Sequence, residues 1–298
     1  MIEVPRRQFL KITGAIAATA CLSGAGLSGI AAAAVPGDEV SMLIDTSKCT
    51  GCRTCIIACK KWNHLPLEEN KFHTAREGRP RFSANQWIDV AYNRSGSREN
   101  ENGKGKWLYT RISCMHCRDA SCVQVCPVGA ISHTSWGTVE IDSKRCIGCN
   151  YCIANCTFHV VGFDPARNIA RKCTFCSDRL SKGMAPACVQ ACPIGALVFG
   201  TRNQITSQAG ARVEELKRSG FPRAELYGLK ELNGLGMLYI LGEGLENSEA
   251  IYALPENPQV PAAARAWGVL YKPVRSFLVA ALAFALWVNK GESRIKVE

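Results

Sequence analysis

The chain of 298 residues lacks the features that mark several common functional classes. Its formal net charge is +11, but it contains no dense run of lysine and arginine and no basic motif interleaved with aromatic residues. We therefore expect no nucleic-acid partner. It also has no convincing nucleophile–base set, and four of its five histidines (His64, His73, His133 and His159) show no ligand-like spacing. We expect the chain not to be an enzyme on its own.

The tail has only a short run of uncharged apolar residues. The run FLVAALAFALWV (277–288) has twelve residues, which as a helix would cover about 18 Å of a hydrocarbon core of about 30 Å. Extended back to Trp267 the segment has 22 residues, with Lys272 and Arg275 near one end, where long basic side chains can reach the interface. We predict one C-terminal transmembrane helix here.

The first 34 residues have the order of features typical of an export signal. A twin arginine (Arg6 and Arg7) precedes a Gly/Ala-rich run that ends in an A-x-A pattern at Ala32–Ala34. We predict a twin-arginine signal peptide at residues 1–34, rather than an amphipathic first helix. The run GAGLSG within it matches a dinucleotide-binding fingerprint only formally, because it follows no predicted strand. Cys21, which also lies in the predicted signal peptide, is a weak candidate for lipidation.

Cysteine is the residue type present in excess, with 17 copies. Sixteen form four tight groups, in which neighbours two residues apart are badly placed to form disulfides with each other. The groups are Cys49, Cys52, Cys55, Cys59; Cys114, Cys117, Cys122, Cys126; Cys146, Cys149, Cys152, Cys156; and Cys173, Cys176, Cys188, Cys192. The first and third have the spacing C-x2-C-x2-C-x3-C of bacterial ferredoxins, and the other two widen one gap to x4 and x11.

This spacing predicts iron–sulfur clusters. Three cysteines of a group can hold three corners of one cubane, while the fourth points away and completes a neighbouring cluster. Sixteen thiolates therefore predict four [4Fe–4S] clusters, with Cys21 left over. Zinc is the alternative for any C-x2-C pair, although structural zinc sites usually join two such pairs from distant parts of a chain. The excess of basic residues would balance the negative charge of the clusters and their ligands.

Internal repeats predict the fold. The pattern I-D-x-x-x-C-x-G-C-x-x-C occurs from Ile44 and again from Ile141, and CPVGAI (126–131) is repeated as CPIGAL (192–197). Such repetition indicates a duplicated unit with a short strand before each I-D. Two alternating segments, QWIDVAY (86–92) and KWLYTRI (106–112), predict an inserted hairpin.

Further patterns predict elements after the cysteine groups. Apolar residues at helical spacing predict one amphipathic helix that ends near Gly220, and GMLYILGEG (236–244) predicts a strand. The apolar positions of the helix are Ile205, Ala209, Val213 and Leu216. The predicted fold class is α+β, a duplicated ferredoxin-like domain. The predicted boundaries are 35–202 for the four-cluster domain with its insert at about 60–113, 203–262 for a C-terminal extension, and 263–298 for a membrane anchor and cytoplasmic tail.

The sequence resembles the four-cluster ferredoxin subunits of molybdopterin oxidoreductases and membrane hydrogenases over about residues 40–290. Within that group it is most similar to the β subunit of formate dehydrogenase N and O. The motifs that carry the resemblance are CKKWN, CMHC, CIGCNYCIANC, KCTFCSDR and PACVQACPIGALVFGT, with RVEELKRSGF, MLYIL, ALPENP and WGVLYKP after them. One departure is Thr157, which stands where the family commonly has a proline after the fourth cysteine.

The resemblance implies how the cysteine groups share ligands. It pairs the first group with the last, and the second with the third. The implied ligand sets are Cys49, Cys52, Cys55 with Cys192; Cys114, Cys117, Cys122 with Cys156; Cys146, Cys149, Cys152 with Cys126; and Cys173, Cys176, Cys188 with Cys59. In the family, such clusters conduct electrons from a molybdopterin catalytic subunit to a membrane cytochrome b. We expect the same partners here, with the C-terminal helix in the cytoplasmic membrane and the main body on its periplasmic side after export.

Alternatives remain at this stage. The formate dehydrogenase β subunit usually lacks its own twin-arginine signal, whereas the iron–sulfur subunit of a type-2 uptake hydrogenase has one. The second hypothesis is therefore the electron-transfer subunit of a membrane [NiFe] hydrogenase. The third is a structural interaction module with zinc in its cysteine pairs. His116, inside CMHC, is either a packed residue beside the ligands or a group that tunes a cluster potential by hydrogen bonding.

Overall fold

A computed structural model describes residues 39–67, 80–94, 107–246 and 248–271, together with the single residues 274, 278, 281 and 282. The predicted signal peptide, with Cys21, lies outside the described residues, as does His73. Most of the predicted membrane segment, 267–288, also lies outside them.

The described elements are ten short strands and eight α-helices, of which all but two have at most five residues. The strands are β1 (Val40–Asp45), β2 (Ile88–Arg94), β3 (Trp107–Ser113), β4 (Ile131–His133), β5 (Val139–Ile141), β6 (Gly162–Asp164), β7 (Ile169–Arg171), β8 (Leu197–Thr201), β9 (Glu225–Tyr227) and β10 (Met237–Leu241). The helices are α1 (Thr54–Trp62), α2 (Ser121–Val125), α3 (Tyr151–Ala154), α4 (Ser177–Leu180), α5 (Ala187–Gln190), α6 (Arg202–Arg218), α7 (Ser248–Tyr252) and α8 (Ala262–Ala266).

A four-stranded sheet in the order β8-β1-β10-β9 carries the core. The strand β1 pairs antiparallel with β8 and parallel with β10, and all six of its residues are buried. Alternation along the strand places Leu43 on one face, against α6, and Met42 and Ile44 on the other, among cysteines. The sheet therefore separates a helix-covered face from a cysteine-rich face. The strands β9 and β10 belong to the predicted extension 203–262, yet they complete this sheet.

The predicted amphipathic helix is confirmed as α6. Its four predicted apolar residues are all buried, and they pack on the outer face of the sheet. At its N-terminus Thr201 and Gln204 form a reciprocal capping box, because each side chain accepts a hydrogen bond from the other residue's backbone N–H. The helix ends at Arg218, and Gly220 follows at φ 95°, where glycine has no steric penalty.

The predicted strands of the insert are also confirmed. The strands β2 and β3 pair antiparallel from Ile88 opposite Ser113 to Arg94 opposite Trp107. The residues that join them, 95–106, lie outside the described part of the chain. The strands predicted before each I-D are β1, which ends at Asp45, and β5, which ends at Ile141. The strand predicted from GMLYILGEG is β10.

The C-terminal part of the described chain is helical. A turn of π-helix, Trp267–Tyr271, follows α8 directly. Among the residues that the structure describes, no helix is both long enough and apolar enough to cross a bilayer.

Candidate metal centres

The two I-D repeats fold into similar loops around their cysteines. In the first, Cys49 and Cys52 lie in the turn after β1, whereas Cys55 and Cys59 lie one helical turn apart on α1. Gly51 adopts φ 70° there, and a Cβ added to it would overlap the Tyr109 ring. The loop thus needs glycine for its backbone angle and for its close approach to β3.

The second repeat has the same backbone angles. Gly148 adopts φ 70° and Asn150 φ 62°, compared with 70° and 61° for Gly51 and Arg53. Cys146 and Cys149 lie in the loop, and Cys152 follows on α3. A Cβ on Gly148 would lie 2.6 Å from the backbone oxygen of Asn168. The duplication seen in the sequence is therefore a duplication of a cysteine-presenting loop.

All sixteen grouped cysteines are free thiols in the structure. Most are buried or half-buried, and only Cys52 and Cys149 among them are exposed. These two are the second cysteines of the first and third groups. The exposed thiols thus belong to the two equivalent loops of the duplicated unit.

One internal cavity is lined by Cys59, Cys173, Cys176 and Cys188, and we call it the Cys188 cavity. Three of its cysteines come from the fourth group and one comes from the first. Its other lining residues include the apolar side chains of Met42, Trp87, Ile88 and Phe175 and the guanidinium of Arg111. The cavity therefore brings four thiols together in largely apolar surroundings.

A second cavity is lined by Cys114, Cys117, Cys122 and Cys156, and we call it the Cys122 cavity. Here three cysteines come from the second group and one from the third. Lys172 also lines this cavity, and its Nζ donates hydrogen bonds to the backbone oxygens of Val139 and Cys173. In both cavities, three thiols come from one cysteine group and the fourth comes from a different cysteine group.

The remaining cysteines form two more sets, which we call the Cys52 site and the Cys149 site after their exposed members. Burial raises the pKa of the Cys49 thiol, and the neighbouring thiols of Cys192 and Cys52 add to the rise. Burial also raises the pKa of Cys152 to about 12, with contributions from Cys146, Cys149 and Cys126. Thiols that affect one another's pKa must lie near each other, so each set gathers cysteines from two different groups.

Several of the buried thiols by themselves resist ionisation. Burial raises the pKa of Cys55 and of Cys176 to about 12, and it raises the pKa of Cys59 and Cys117 as well. A metal binds the thiolate, so the proton must be displaced by a cation that repays the burial of charge. Iron supplies that positive charge, and sets of four soft thiolates are its preferred donors in clusters. The donor sets therefore fit iron–sulfur clusters.

The geometry of a single ion differs from that of a cluster. Within the described ranges, no three side chains of His, Cys, Asp or Glu converge closely enough to hold one metal ion. A tetrahedral zinc site holds its sulfurs about 2.3 Å from one atom, whereas the four thiolates of a cubane are distributed over the cluster.

His116, which stands between Cys114 and Cys117 in the sequence, is buried with 1% exposure. Its Nδ1 accepts a hydrogen bond from the backbone N–H of Val139 at 2.9 Å, and its ring meets Phe175 edge-on. Burial lowers its pKa well below the usual value, and the positive charges of Lys172 and Arg111 add to the effect. The ring is therefore neutral with its proton on Nε2, which has no partner among the described atoms. It is a packed residue, and a tuning role stays a prediction.

The other histidines in the described chain, His64, His133 and His159, are exposed and line neither cavity. Thr157, at the position where the family commonly has proline, donates a hydrogen bond from Oγ1 to the backbone oxygen of Gln259 at 2.9 Å. This side chain thus ties the third cysteine group to the C-terminal part of the chain.

Sequence reasoning missed the two buried cations that line these cavities, Arg111 and Lys172. Arg111 stands in an alternating strand, where a charged residue normally indicates a solvent-facing position. Lys172 stands at the start of the motif KCTFCSDR, where nothing in the sequence marks it as buried. No local signal distinguishes either residue from a surface cation, because their burial depends on segments far away in the chain.

Comparison with known proteins identifies the chemistry. Two family models, each described as a 4Fe-4S dicluster domain, match residues 48–130 and 105–202. Together they include all four cysteine groups. The predicted four [4Fe–4S] clusters are confirmed at this level, and zinc is not the favoured metal.

The curated relatives are electron-transfer subunits. The formate dehydrogenase-O iron–sulfur subunit of Escherichia coli (strain K12) is 36% identical over 249 residues, which cover 83% of this chain and 80% of that protein. The nitrate-inducible formate dehydrogenase iron–sulfur subunit of the same organism is 36% identical over 79% of each chain. The thiosulfate reductase electron transfer subunit of Salmonella typhi is 37% identical over 67% of this chain and 96% of that protein. The chain therefore belongs to the family of formate dehydrogenase iron–sulfur subunits, which are four-cluster electron-transfer proteins and not catalytic subunits.

Proposed function

We propose that the chain accepts electrons from a molybdopterin formate dehydrogenase subunit and delivers them to a membrane cytochrome b. Two relatives that match over about 80% of both chains are iron–sulfur subunits of formate dehydrogenases, which supports this donor. The observation that carries the proposal is the arrangement of the cysteines. It gathers the cysteines into two cavities and two further sets, and each of these two further sets has one exposed cysteine.

The ligand sets that we propose follow the four gatherings of thiols. The Cys188 cavity and the Cys122 cavity each supply four cysteines for one cluster. The Cys52 site would hold the third cluster and the Cys149 site the fourth. The proposed sets are Cys59, Cys173, Cys176, Cys188; Cys114, Cys117, Cys122, Cys156; Cys49, Cys52, Cys55, Cys192; and Cys126, Cys146, Cys149, Cys152.

We infer the order of the sites from the electrostatic effects that thiols of different sets have on one another's pKa. The Cys55 thiol interacts with Cys188, which links the Cys52 site to the Cys188 cavity. Cys173 interacts with Cys114, which links the two cavities. Cys122 interacts with Cys152, which links the Cys122 cavity to the Cys149 site.

Electrons would pass through the chain along this row, one at a time. Iron–sulfur clusters bound in these sites supply the one-electron chemistry. The protein holds the sites close together and excludes water from the two inner ones. Burial serves that second purpose, since the Cys188 cavity is enclosed by Trp87, Ile88 and Phe175. Among the sixteen grouped cysteines only Cys52 and Cys149 are exposed, and partners could exchange electrons with the end sites there.

We assign the Cys149 end of the row to the membrane side. The Tyr151 ring, on α3 beside Cys149, meets the ring of Trp267 edge-on at 5.5 Å between centroids. Trp267 begins the predicted membrane segment, and Gly268 lies against the side chain of Gln124 on α2. The predicted anchor therefore starts beside the Cys149 site. By elimination, the Cys52 end would face the catalytic subunit.

The membrane anchor and the location of the protein are part of the same proposal. Val269, Val274, Leu278 and Leu282 are all more than half exposed, which supports an apolar helix with a partner outside this chain. We propose that residues 267–288 cross the cytoplasmic membrane once and that residues 1–34 direct export by the twin-arginine route. The main body would then lie on the periplasmic side. Export of folded cargo would let the clusters form in the reducing cytoplasm, before any thiol meets an oxidising compartment.

A hydrogenase subunit is the second candidate, because the chain has its own twin arginine at Arg6 and Arg7. The thiosulfate reductase relative also indicates that one cysteine framework occurs with different catalytic partners. The donor therefore has to be established by experiment.

The test uses membranes that contain the tagged protein in its native complex, kept anaerobic and oxidised. Formate and hydrogen are added to separate samples, and cluster reduction is followed by low-temperature EPR. We expect rapid reduction by formate and none by hydrogen. Reduction by hydrogen alone would assign the chain to the hydrogenase branch. If dithionite also produced no cluster signal, the iron–sulfur assignment itself would be wrong, and iron and acid-labile sulfide content would check that result independently.

A further inference from the structure

Arg111 is a completely enclosed cation at the Cys188 cavity. It lies on β3 with 1% exposure and lines the cavity together with the four cysteines. One terminal nitrogen donates a hydrogen bond to Ser113 Oγ at 2.7 Å, and the other lies 3.6 Å from the sulfur of Cys188. Its Nε has no partner among the described atoms. The guanidinium therefore directs one terminal nitrogen at the Cys188 thiol, while the other also lies 3.7 Å from the Met237 sulfur.

No carboxylate neutralises this cation within the described part of the chain. The six ion pairs found there involve other residues. A guanidinium stays charged in proteins, and an uncompensated buried charge is strongly destabilising. Burial alone would lower the pKa of Arg111, but Cys188 and Cys173, followed by Tyr239 and Cys55, reverse that effect and raise it. Burial raises the pKa of the Tyr239 hydroxyl, which therefore stays neutral. The groups that can supply negative charge here are thus the cysteines of the proposed cluster sites.

We propose that Arg111 is the resident counter-charge of the cluster in the Cys188 cavity, where it donates a hydrogen bond to the Cys188 sulfur and raises the cluster's reduction potential. The inference rests on the proposed ligand set. Reduction transfers one electron from a neighbouring cluster and adds one negative charge to the site. A fixed positive charge in apolar surroundings stabilises the reduced form more than the oxidised form. No proton needs to move, because the guanidinium is charged in both states.

The position of Arg111 also restricts the effect to part of the row. Its electrostatic partners include Cys188 and Cys173 of one set and Cys55 of the adjacent Cys52 site. Cys188 and Cys173 have the larger effects, so the potential of the cluster in the Cys188 cavity should change most and that of the cluster at the Cys52 site less. No cysteine of the Cys149 site is among the groups with the largest effect on the pKa of Arg111. The cluster there should keep its potential.

The test is a mediated redox titration of the purified complex, with each cluster followed by low-temperature EPR. In Arg111→Gln we expect one cluster to become harder to reduce, with its reduction equilibrium lowered about tenfold, which equals about 59 mV for a one-electron couple. Arg111→Lys keeps the charge and should shift the potential much less. Arg202→Gln is the matched control, because Arg202 is a half-buried arginine that donates to Ser41 Oγ and the Leu235 oxygen and has no cysteine partner.

Unchanged potentials in Arg111→Gln would overturn the proposal, as would equal shifts in Arg111→Lys and Arg111→Gln. If Arg111→Gln fails to assemble its clusters, the unmodified complex decides the question. Arginine labelled with ¹⁵N should then give a nitrogen coupling to one reduced cluster in pulsed EPR, and the absence of any such coupling would refute the contact. Because titration uses mediators and dithionite, a complex that ignores formate would count against the proposed donor and not against Arg111.

Discussion

The glycine of the second cysteine loop gives a sharp test of how the loop is built. Gly148 stands between Cys146 and Cys149 at φ 70°. An alanine Cβ there would lie 2.6 Å from the backbone oxygen of Asn168 and still closer to its side-chain oxygen. Asn168 itself donates from Nδ2 to the Ile147 oxygen. The neighbour is therefore backbone that is tied to the same loop, and it cannot simply rotate away.

The expected cost of Gly148→Ala has two parts. The left-handed backbone angle costs a non-glycine residue about 1–2 kcal/mol, and forced overlap with packed backbone adds about 1–3 kcal/mol. Displacement of Asn168 would also disturb Ala170, whose N–H points at the Cys146 sulfur at 3.4 Å. We expect a loss of about 2–5 kcal/mol in stability and weaker retention of the cluster at the Cys149 site.

Gly183→Ala is the matched control, because Gly183 has φ 69° but, apart from its chain neighbours, no described atom lies within 4 Å of an added Cβ. It carries the backbone cost without the overlap, so it should lose about 1–2 kcal/mol and keep all its clusters. The assay measures iron per chain, the number of clusters reduced by dithionite in EPR, and the urea midpoint. Gly148→Ala should lose up to about one quarter of its iron. If the two variants had equal midpoints and full iron, the close approach of the loop to Asn168 would be wrong.

Other predictions address the sheet and the ligands. Ile205→Ala, at a position with 1% exposure, should lower the free energy of unfolding by about 2–5 kcal/mol. The control Gln208→Ala, at an exposed position of the same helix, should change it by no more than about 0.5 kcal/mol. Equal urea midpoints for the two variants would argue against the core position of α6. Asp45→Asn removes the buried charge that pairs with Arg212 at 2.9 Å and should cost about 1–3 kcal/mol, so an unaltered midpoint would mean that the pair contributes nothing. Cys52→Ala should lower the iron content and interrupt electron transfer from formate to quinone, and undiminished iron would contradict the ligand set of the Cys52 site.

Local patterns predicted the local structure well. The four apolar positions of α6 and the alternating strands β2 and β3 appear in the structure as the spacing indicated. A period of about 3.6 or 2 is set by the backbone geometry of one segment and needs no knowledge of the rest of the chain. The cysteine spacings predicted the [4Fe–4S] clusters for the same reason, since a spacing within one short loop is a local feature of the sequence.

Long-range structure was beyond the sequence patterns. The parallel pairing of Met42 with Met237 joins segments at opposite ends of the described chain, and no periodicity marks it. Arg111 was likewise placed in an ordinary strand, because its burial depends on Cys188 and Met237 arriving beside it. The exchange of fourth cysteines between groups came from the family resemblance, since spacing alone indicates only that a fourth thiol points to some neighbour.

The exchange of cysteines links electron transfer to the stability of the fold. The Cys188 cavity joins Cys59 on α1 to Cys188 on α5, so a cluster bound there would close a loop of more than a hundred residues. Closing long loops removes conformational freedom from the unfolded chain and stabilises the native state. In the same arrangement Cys55 and Cys173 are near enough to neighbouring sets to affect their electrostatics, and electrons would pass between clusters at these places. The arrangement that connects the sites is therefore also the one that holds distant parts of the chain together.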